Sequence, residues 1–135
     1  MAVRGSIGTA QLRLQPLVSA PLGSPDWKSK LDEMVVRRAL LFERAMPFKN
    51  AADVHRHRSV FLRKDYETMR TAERDALEAA LPAALRKNRE FFEALDQALS
   101  FGAWQHLRRD QKLTQDQARQ TVQYAVRALA GASGK

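Results

Sequence analysis

The sequence predicts an all-α fold, a helical bundle of about four long helices plus short connecting helices, on three observations. Apolar residues recur at three- and four-residue steps along most of the chain, and no segment alternates in the manner of a half-buried strand. Leu and Ala dominate while Ile is rare, which favours helix. Glycine and proline number only 6 and 5 among 135 residues, and they fall mainly between the periodic segments.

The first long helix is expected over about residues 25–45, after an irregular lead-in over residues 1–23 that glycine and proline interrupt. Ser24 has the properties of an N-cap, and Pro25 suits the first helical position. Pro47 is expected to end this helix, because proline disfavours helical backbone at the residue before it.

The second long helix is expected to begin at Ser59, which would cap it, and to close at Leu81 and Pro82. Its charged residues, Glu73 among them, are assigned to the solvent-facing side, opposite an apolar stripe. Arg38 is likewise assigned to the outer face of the first helix. Both charged side chains are therefore expected to be hydrated.

A connector over residues 83–87 leads to a third helix, which Asn88 caps and which is expected to run unbroken to two arginines at its C-terminal end. The fourth helix begins at the clearest start signal in the chain, a capping box formed by Thr114 and Gln117. Gly131 is expected to end it.

Length and composition exclude several classes of protein. A chain of 135 residues fits one domain, and residues 24–135 are expected to form it. Cysteine is absent, which excludes disulfides, thiolate metal sites and thiol nucleophiles. No apolar stretch approaches the roughly 18–20 residues that a membrane span requires, and the N-terminus lacks the apolar run of a secretory signal. The expected location is the cytoplasm, with no membrane partner.

Catalytic, cofactor and metal sites are not expected. The sequence contains neither a nucleophile elbow nor a phosphate-cradling glycine loop, and its carboxylates are interpreted as ion-paired surface groups. His55 and His57 lie two residues apart, which does not place two ligands on one helix face, and arginines flank them. The chain is therefore not expected to be an enzyme.

The net charge of +8 favours an anionic partner. A weak anion site is predicted where arginines precede and enter the second helix, since helix N-termini attract anions; its residues are Arg56, Arg58 and Arg63. The same side chains could instead pair with neighbouring carboxylates. The positive charge is otherwise spread along the chain, with no compact basic recognition helix, so specific DNA binding by these residues is not expected.

Aromatic and methionine residues are concentrated in the middle of the chain. Core packing accounts for most of them, but such side chains also suit an adaptable pocket for a small hydrophobic or amphipathic ligand. The candidate pocket residues are Phe42, Met46, Phe61, Tyr66, Met69 and Phe92.

The last two helices carry small or apolar residues on more than one stripe. A helix pair of this kind has two faces to bury, one against its own domain and one against a partner. A second copy related by a two-fold axis is the simplest partner, so a homodimer is expected.

Several stretches resemble the regulatory domain of TetR-type transcriptional regulators. They are Arg38 to Pro47, His55 to Ser59, Met69 to Arg74, Phe101 to Arg119 and Val126 to Leu129. The resemblance implies an all-helical domain whose last two helices form a four-helix dimer interface and whose earlier helices surround a ligand pocket. The interface candidates are then Gly102, Trp104, Leu107, Val122, Ala125 and Leu129.

Residues 1–23 do not resemble the helix-turn-helix domain that such regulators carry at the N-terminus. The chain is therefore predicted to be the effector-binding and dimerisation domain of a TetR-like regulator, which would reach DNA only through a missing N-terminal domain. The alternative is a standalone helical adaptor or a basic nucleic-acid-associated protein.

Overall fold

The computed structural model describes residues 16–55 and 60–133. Within them the chain is helical and contains no strand, which confirms the all-α class. A short helical turn over residues 16–19 precedes the elements named here. These are α1 (Trp27–His55), α2 (Val60–Ala80), α3 (Ala83–Arg86), α4 (Arg89–Ala98), α5 (Phe101–Gln105), a π-helical turn (His106–Asp110) and α6 (Gln115–Ser133).

Helix α1 is the central element of the bundle. It packs against α2, α5 and α6, while α4 packs against α2 and α6 from the other side. The main core lies between these helices, and half of its buried side chains are leucine and valine, each of which stabilises the fold by about 1.5–3 kcal/mol when fully buried. The most completely buried of them are Leu31, Val35, Leu77, Leu81, Leu95, Leu99 and Val126.

Helix α1 begins two residues later than expected, because Asp26 rather than Ser24 caps it. The Asp26 carboxylate accepts hydrogen bonds from the Ser29 N–H at 3.0 Å and the Ser29 hydroxyl at 2.9 Å. Ser24 instead donates its N–H and its hydroxyl to Oε1 of Glu33, at 2.9 and 2.8 Å. Pro25 thus lies before the helix rather than in its first turn.

The prediction that Pro47 ends the first helix is wrong, since α1 continues through it to His55. Proline removes one main-chain hydrogen bond and crowds the preceding turn, at a cost of about 3 kcal/mol. The turn before it is fixed by buried Phe42 and Ala45, while Pro47 itself is exposed. This anchoring lets the helix tolerate the proline.

The third helix is also not continuous. Helix α4 ends at Ala98, and Ser100 has an extended backbone (φ −80°, ψ 159°) that starts α5. The Ser100 hydroxyl donates to the Gln97 carbonyl at 2.7 Å and accepts from the Ala103 N–H at 3.1 Å. One serine therefore both terminates one helix and caps the next, a role that the apolar periodicity does not reveal.

Several predicted boundaries are confirmed. Helix α2 ends at Ala80, α3 occupies the predicted connector, and Asn88 accepts a hydrogen bond from the Phe91 N–H at 3.2 Å. The capping box at the start of α6 is formed reciprocally: the Thr114 N–H donates to Gln117 Oε1 at 2.9 Å, and the Gln117 N–H donates to Thr114 Oγ1 at 3.1 Å.

Two other boundary predictions have different outcomes. Gly131 does not end the last helix, because α6 continues to Ser133. A glycine inside a helix costs only about 1 kcal/mol relative to alanine, so it does not by itself end one. Ser59, the predicted cap of the second helix, lies outside the described residues.

Residues 17–24, called the strap below, cross the groove between α1 and α2. Val18 is buried in a second small core with Leu41, Met69 and Ala72. Of the predicted irregular lead-in, residues 16–19 form a helical turn, and residues 20–23 have no regular secondary structure but are held against the helices; residues 1–15 lie outside the described part.

Side chains of α1 fasten the strap at both ends. The Arg37 guanidinium donates to the carbonyls of Leu17, Ala20 and Pro21, at 3.3, 2.6 and 3.0 Å. Glu33 accepts from the Gly23 N–H at 3.1 Å in addition to Ser24.

Replacing Thr114 by alanine tests the capping box. Thr114→Ala leaves the Gln117 N–H without its partner and should lower the free energy of unfolding by about 1 kcal/mol, measured by urea denaturation. Thr71→Ala, at an exposed position inside α2, is the matched control and should stay within about 0.5 kcal/mol of the wild type. Equal effects of the two substitutions would contradict the capping role.

Candidate functional site

A groove lies between α5 with its π-helical turn on one side and α6 on the other. It has a volume of about 440 Å³, and small or apolar side chains make up most of its wall. Four of the six predicted interface residues line it together: Gly102, Leu107, Val122 and Ala125. Ala98 and Ala103 complete its apolar lining. We call it the α5–α6 groove.

The α5–α6 groove is open because several residues of its wall are glycine or alanine, whose side chains are too small to fill it. A Cβ built at Gly102 would meet only the Ser100 hydroxyl, at 3.9 Å, so glycine leaves free space there and is not required by a close packing contact. Tyr124, which adjoins Ala125 on α6, is 79% exposed and is the most exposed large apolar side chain of the described residues. An exposed aromatic ring thus lies on the same helix as one wall of the groove.

The other two predicted interface residues do not line the α5–α6 groove. Trp104 is 2% exposed and donates its indole N–H to Glu43 Oε2 at 2.8 Å, so it is a core residue and not a contact for a second copy. Leu129 is partly buried against the main core. Helical spacing alone could not separate the inward stripe from the outward one, because both contain apolar residues.

An ion pair fixes the wall of the α5–α6 groove that the π-helical turn forms. Arg108 donates to both Glu43 oxygens, from Nε at 2.7 Å and from Nη2 at 3.0 Å, and its Nη1 donates to the Leu113 carbonyl at 2.9 Å. The hydrogen bond from Arg108 holds the pKa of Glu43 below its ordinary value, against the opposing effect of partial burial, and Trp104 adds to the shift. Helix α1 and the turn are thereby connected.

A buried charge network joins α1, α2 and α4. Arg38 is 3% exposed and donates to the carbonyls of Glu73 at 2.8 Å and Leu99 at 3.3 Å. Arg70 pairs with both Glu73 and Asp96, which are themselves buried. The assignment of Arg38 and Glu73 to solvent-facing sides is therefore wrong: each lies within the apolar contact surface because the other charges compensate it.

Two carboxylate oxygens of this network, Glu73 Oε2 and Asp96 Oδ1, are buried without a hydrogen-bond partner among the described residues. Burial disfavours the charge of Arg38 and lowers its pKa, although Glu73 and Asp96 oppose that effect. At Arg70 burial acts in the same direction, but the two carboxylates outweigh it and raise the pKa. The network is therefore held together by charge compensation at the cost of two unpaired oxygens.

The predicted ligand-pocket residues do not line one common cavity. Phe42 lies in the main core and meets Phe101 edge to face, with ring centroids 5.4 Å apart. Met46 packs against the same core. These two residues therefore act in packing, the alternative that the composition left open.

The remaining pocket candidates are scattered. Met69 belongs to the small core under the strap, and the Phe92 ring lies under the Arg74 guanidinium, 5.0 Å from it. Tyr66 lines a polar cavity of about 420 Å³ that also borders Glu73. The side chain of Phe61 lies outside the described residues.

The predicted anion site falls outside the described residues. Arg56 and Arg58 lie outside the described residues, as does the side chain of Arg63. In the part of the chain that the structure describes, no three His, Asp or Glu side chains are arranged to hold a metal ion. None of the described helices is long and apolar enough to cross a membrane.

A cavity of about 240 Å³ lies under the strap, between α1 and α2, and sequence analysis missed it. Its apolar wall contains Leu22, Met34 and alanines of α2, and three cations also line it: Lys30, Arg37 and Arg38. The only feature of the sequence that could have indicated this cavity is the group of alanines near the end of α2. The strap that covers the cavity gave no recognisable pattern.

No family model, no curated protein and no solved structure matches this chain.

The pKa shift of Glu43 predicts an acid-sensitive contribution to stability. Since the folded state lowers this pKa from 4.5, the stabilisation is complete above that value and is lost as the pH falls through the folded-state pKa. Glu43→Gln should therefore lower the urea midpoint at pH 7, and its difference from the wild type should shrink on acidification.

Glu78→Gln removes an exposed carboxylate with no ion pair among the described residues and serves as the control. It should have little effect at either pH. A pH-independent difference between Glu43→Gln and the wild type would refute the assignment.

The buried network is tested by Arg38→Ala. The substitution leaves two carbonyls without a donor and removes a compensating charge from Glu73 and Asp96, so a loss of about 3 kcal/mol is expected in the free energy of unfolding. Arg44→Ala, at an exposed position of the same helix, should change it by less than about 0.5 kcal/mol. Similar urea midpoints for the two variants would show that Arg38 has no such role.

Proposed function

We propose that this chain is the effector-binding and dimerisation domain of a TetR-like transcriptional regulator. The observation that carries the proposal is the α5–α6 groove, in which Gly102, Leu107, Val122 and Ala125 lie side by side. These four are among the six residues for which the resemblance implies an intersubunit position. The sequence pattern and the surface geometry thus favour the same region for self-association.

Small residues in the α5–α6 groove support a helical occupant. Ala98, Gly102 and Ala125 leave room for a second helix to approach closely, as ridge-into-groove packing requires. A two-fold axis would let each copy present its own α6 to the other, so that one surface serves both partners.

Tyr124 supplies the complementary protrusion. Its ring is almost entirely exposed and is adjacent in sequence to the groove-lining Ala125. In an isologous dimer each Tyr124 would enter the α5–α6 groove of the other copy, and tyrosine is among the residues enriched at interface centres.

Oligomeric state is the decisive measurement for this proposal. Light scattering after size exclusion should give a dimer for the wild-type chain. Ala125→Glu places a carboxylate in the apolar groove and should weaken the dimer by at least about tenfold, while the helical circular dichroism is retained. Gln120→Glu adds the same charge at an exposed position of α6 outside the groove and should leave the dimer unchanged.

A monomeric wild-type chain at the highest soluble concentration would overturn the dimerisation proposal, as would an Ala125→Glu dimer of undiminished affinity. A monomer that binds duplex DNA with an affinity falling steeply with salt would favour the nucleic-acid-associated alternative.

A further inference from the structure

The cavity under the strap has an electrostatic character that packing does not require. Its lining includes Lys30, Arg37 and Arg38 but no aspartate or glutamate. Apolar side chains, among them Leu22 and Met34, form the rest of the wall together with alanines of α2. A cavity with both apolar side chains and positive charge in its wall matches a ligand that has an apolar body and an anionic group.

The three cations differ in how their charge is satisfied. The Arg37 guanidinium donates hydrogen bonds to three carbonyls of the strap and lies 3.7 Å from the Glu33 carboxylate. Arg38 is buried and donates to two carbonyls, with no carboxylate at ion-pairing distance in the described part of the chain. Lys30 is partly buried, and its ammonium has no partner among the described residues. Among the described residues, Lys30 is therefore the cation of this wall whose charge is not met by a hydrogen-bond or ion-pair partner.

We propose that the cavity binds a small amphipathic carboxylate, whose anionic group is held by Lys30 with the support of Arg37 and Arg38. Leu22, Met34 and the alanines of α2 would contact its apolar part. This inference deepens the effector-binding half of the proposed function and rests on it. The volume of about 240 Å³ lies below the ~300–1,000 Å³ typical of drug-sized ligands, which selects a short chain or a single ring.

The strap is fixed on α1, so the cavity beneath it exists without a ligand. Arg37 holds its first part and Glu33 holds its end, so the roof is positioned before any ligand arrives. A preformed site avoids much of the ordering cost of binding. Affinity should therefore depend on the contents of the cavity wall and not on folding of the strap.

The test uses octanoate as the anionic probe and 1-octanol as its uncharged counterpart, with the full chain and isothermal titration calorimetry. Octanoate should bind more tightly than octanol. Lys30→Gln should weaken octanoate binding by about three- to tenfold and leave octanol binding nearly unchanged, because it removes one charge-assisted contact. Lys87→Gln, at an exposed lysine remote from the cavity lining, is the matched control and should change neither.

A second variant tests the location independently of charge. Ala79→Phe fills the cavity from an exposed position of its rim, so it should fold normally and reduce binding of both probes by more than about tenfold. Ala84→Phe adds the same ring at an exposed position of α3 and should have no effect. Circular dichroism and thermal unfolding verify that both variants are folded.

Absence of saturable octanoate binding would overturn the inference, and so would binding that Ala79→Phe leaves intact or that Lys30→Gln and Lys87→Gln affect equally. The dimer proposal fails separately, through light scattering. Octanoate binding to a wild-type chain that is monomeric would support the cavity and refute dimerisation, whereas a dimer without octanoate binding would do the reverse.

Discussion

The hydrogen bonds donated by the Arg38 guanidinium are the interactions on which the arrangement of the other helices depends. It extends from the central helix α1 to a carbonyl of α2 and to the Leu99 carbonyl, which the break between α4 and α5 exposes. Without a donor there, a broken helix would bury an unsatisfied carbonyl in the main core. The break is in turn what separates the direction of α5 from that of α4, and so creates one wall of the α5–α6 groove. A buried charge thus permits a surface feature nearby, since Arg38 shares a small cavity with Ala98 and Val122 of the groove wall.

The fold class and several helix boundaries could be predicted because their causes are local. The Thr114–Gln117 capping box and the Asn88 cap satisfy backbone donors within three residues, so the sequence contains the whole interaction. The predictions that Pro47 ends the first helix and that the third helix runs unbroken failed for the opposite reason. Whether a helix survives a proline, or breaks at a serine, depends on the core packing around it and on distant side chains, such as Arg38, that donate hydrogen bonds to the freed carbonyls. Periodicity encodes neither.

The candidate sites were less predictable from the sequence than the helix boundaries were. The groove residues could be proposed because small residues on two stripes are visible in sequence, but Trp104 has the same spacing and turned inward to Glu43. Phe42, Met69 and Phe92 lie in the same middle part of the chain but do not line one pocket. Residues from one part of a sequence can pack in different places of the fold, as these do. The cavity under the strap combines lysine and arginine of α1 with alanines of α2 and a segment without periodicity, so only the tertiary structure brings its wall together.

The docking of the strap also bears on where this domain starts. Arg37 reaches back only 20 residues to the Leu17 carbonyl, so closing that loop costs little chain entropy. A chain shortened to begin at residue 24, where the helical periodicity first becomes clear, would lose Val18 and with it the cover over Leu41, Met69 and Ala72. The shortened chain would remain helical but would carry an uncovered apolar strip along α1 and α2, which favours aggregation. Eight residues that look like a linker therefore act as an outer layer of the bundle.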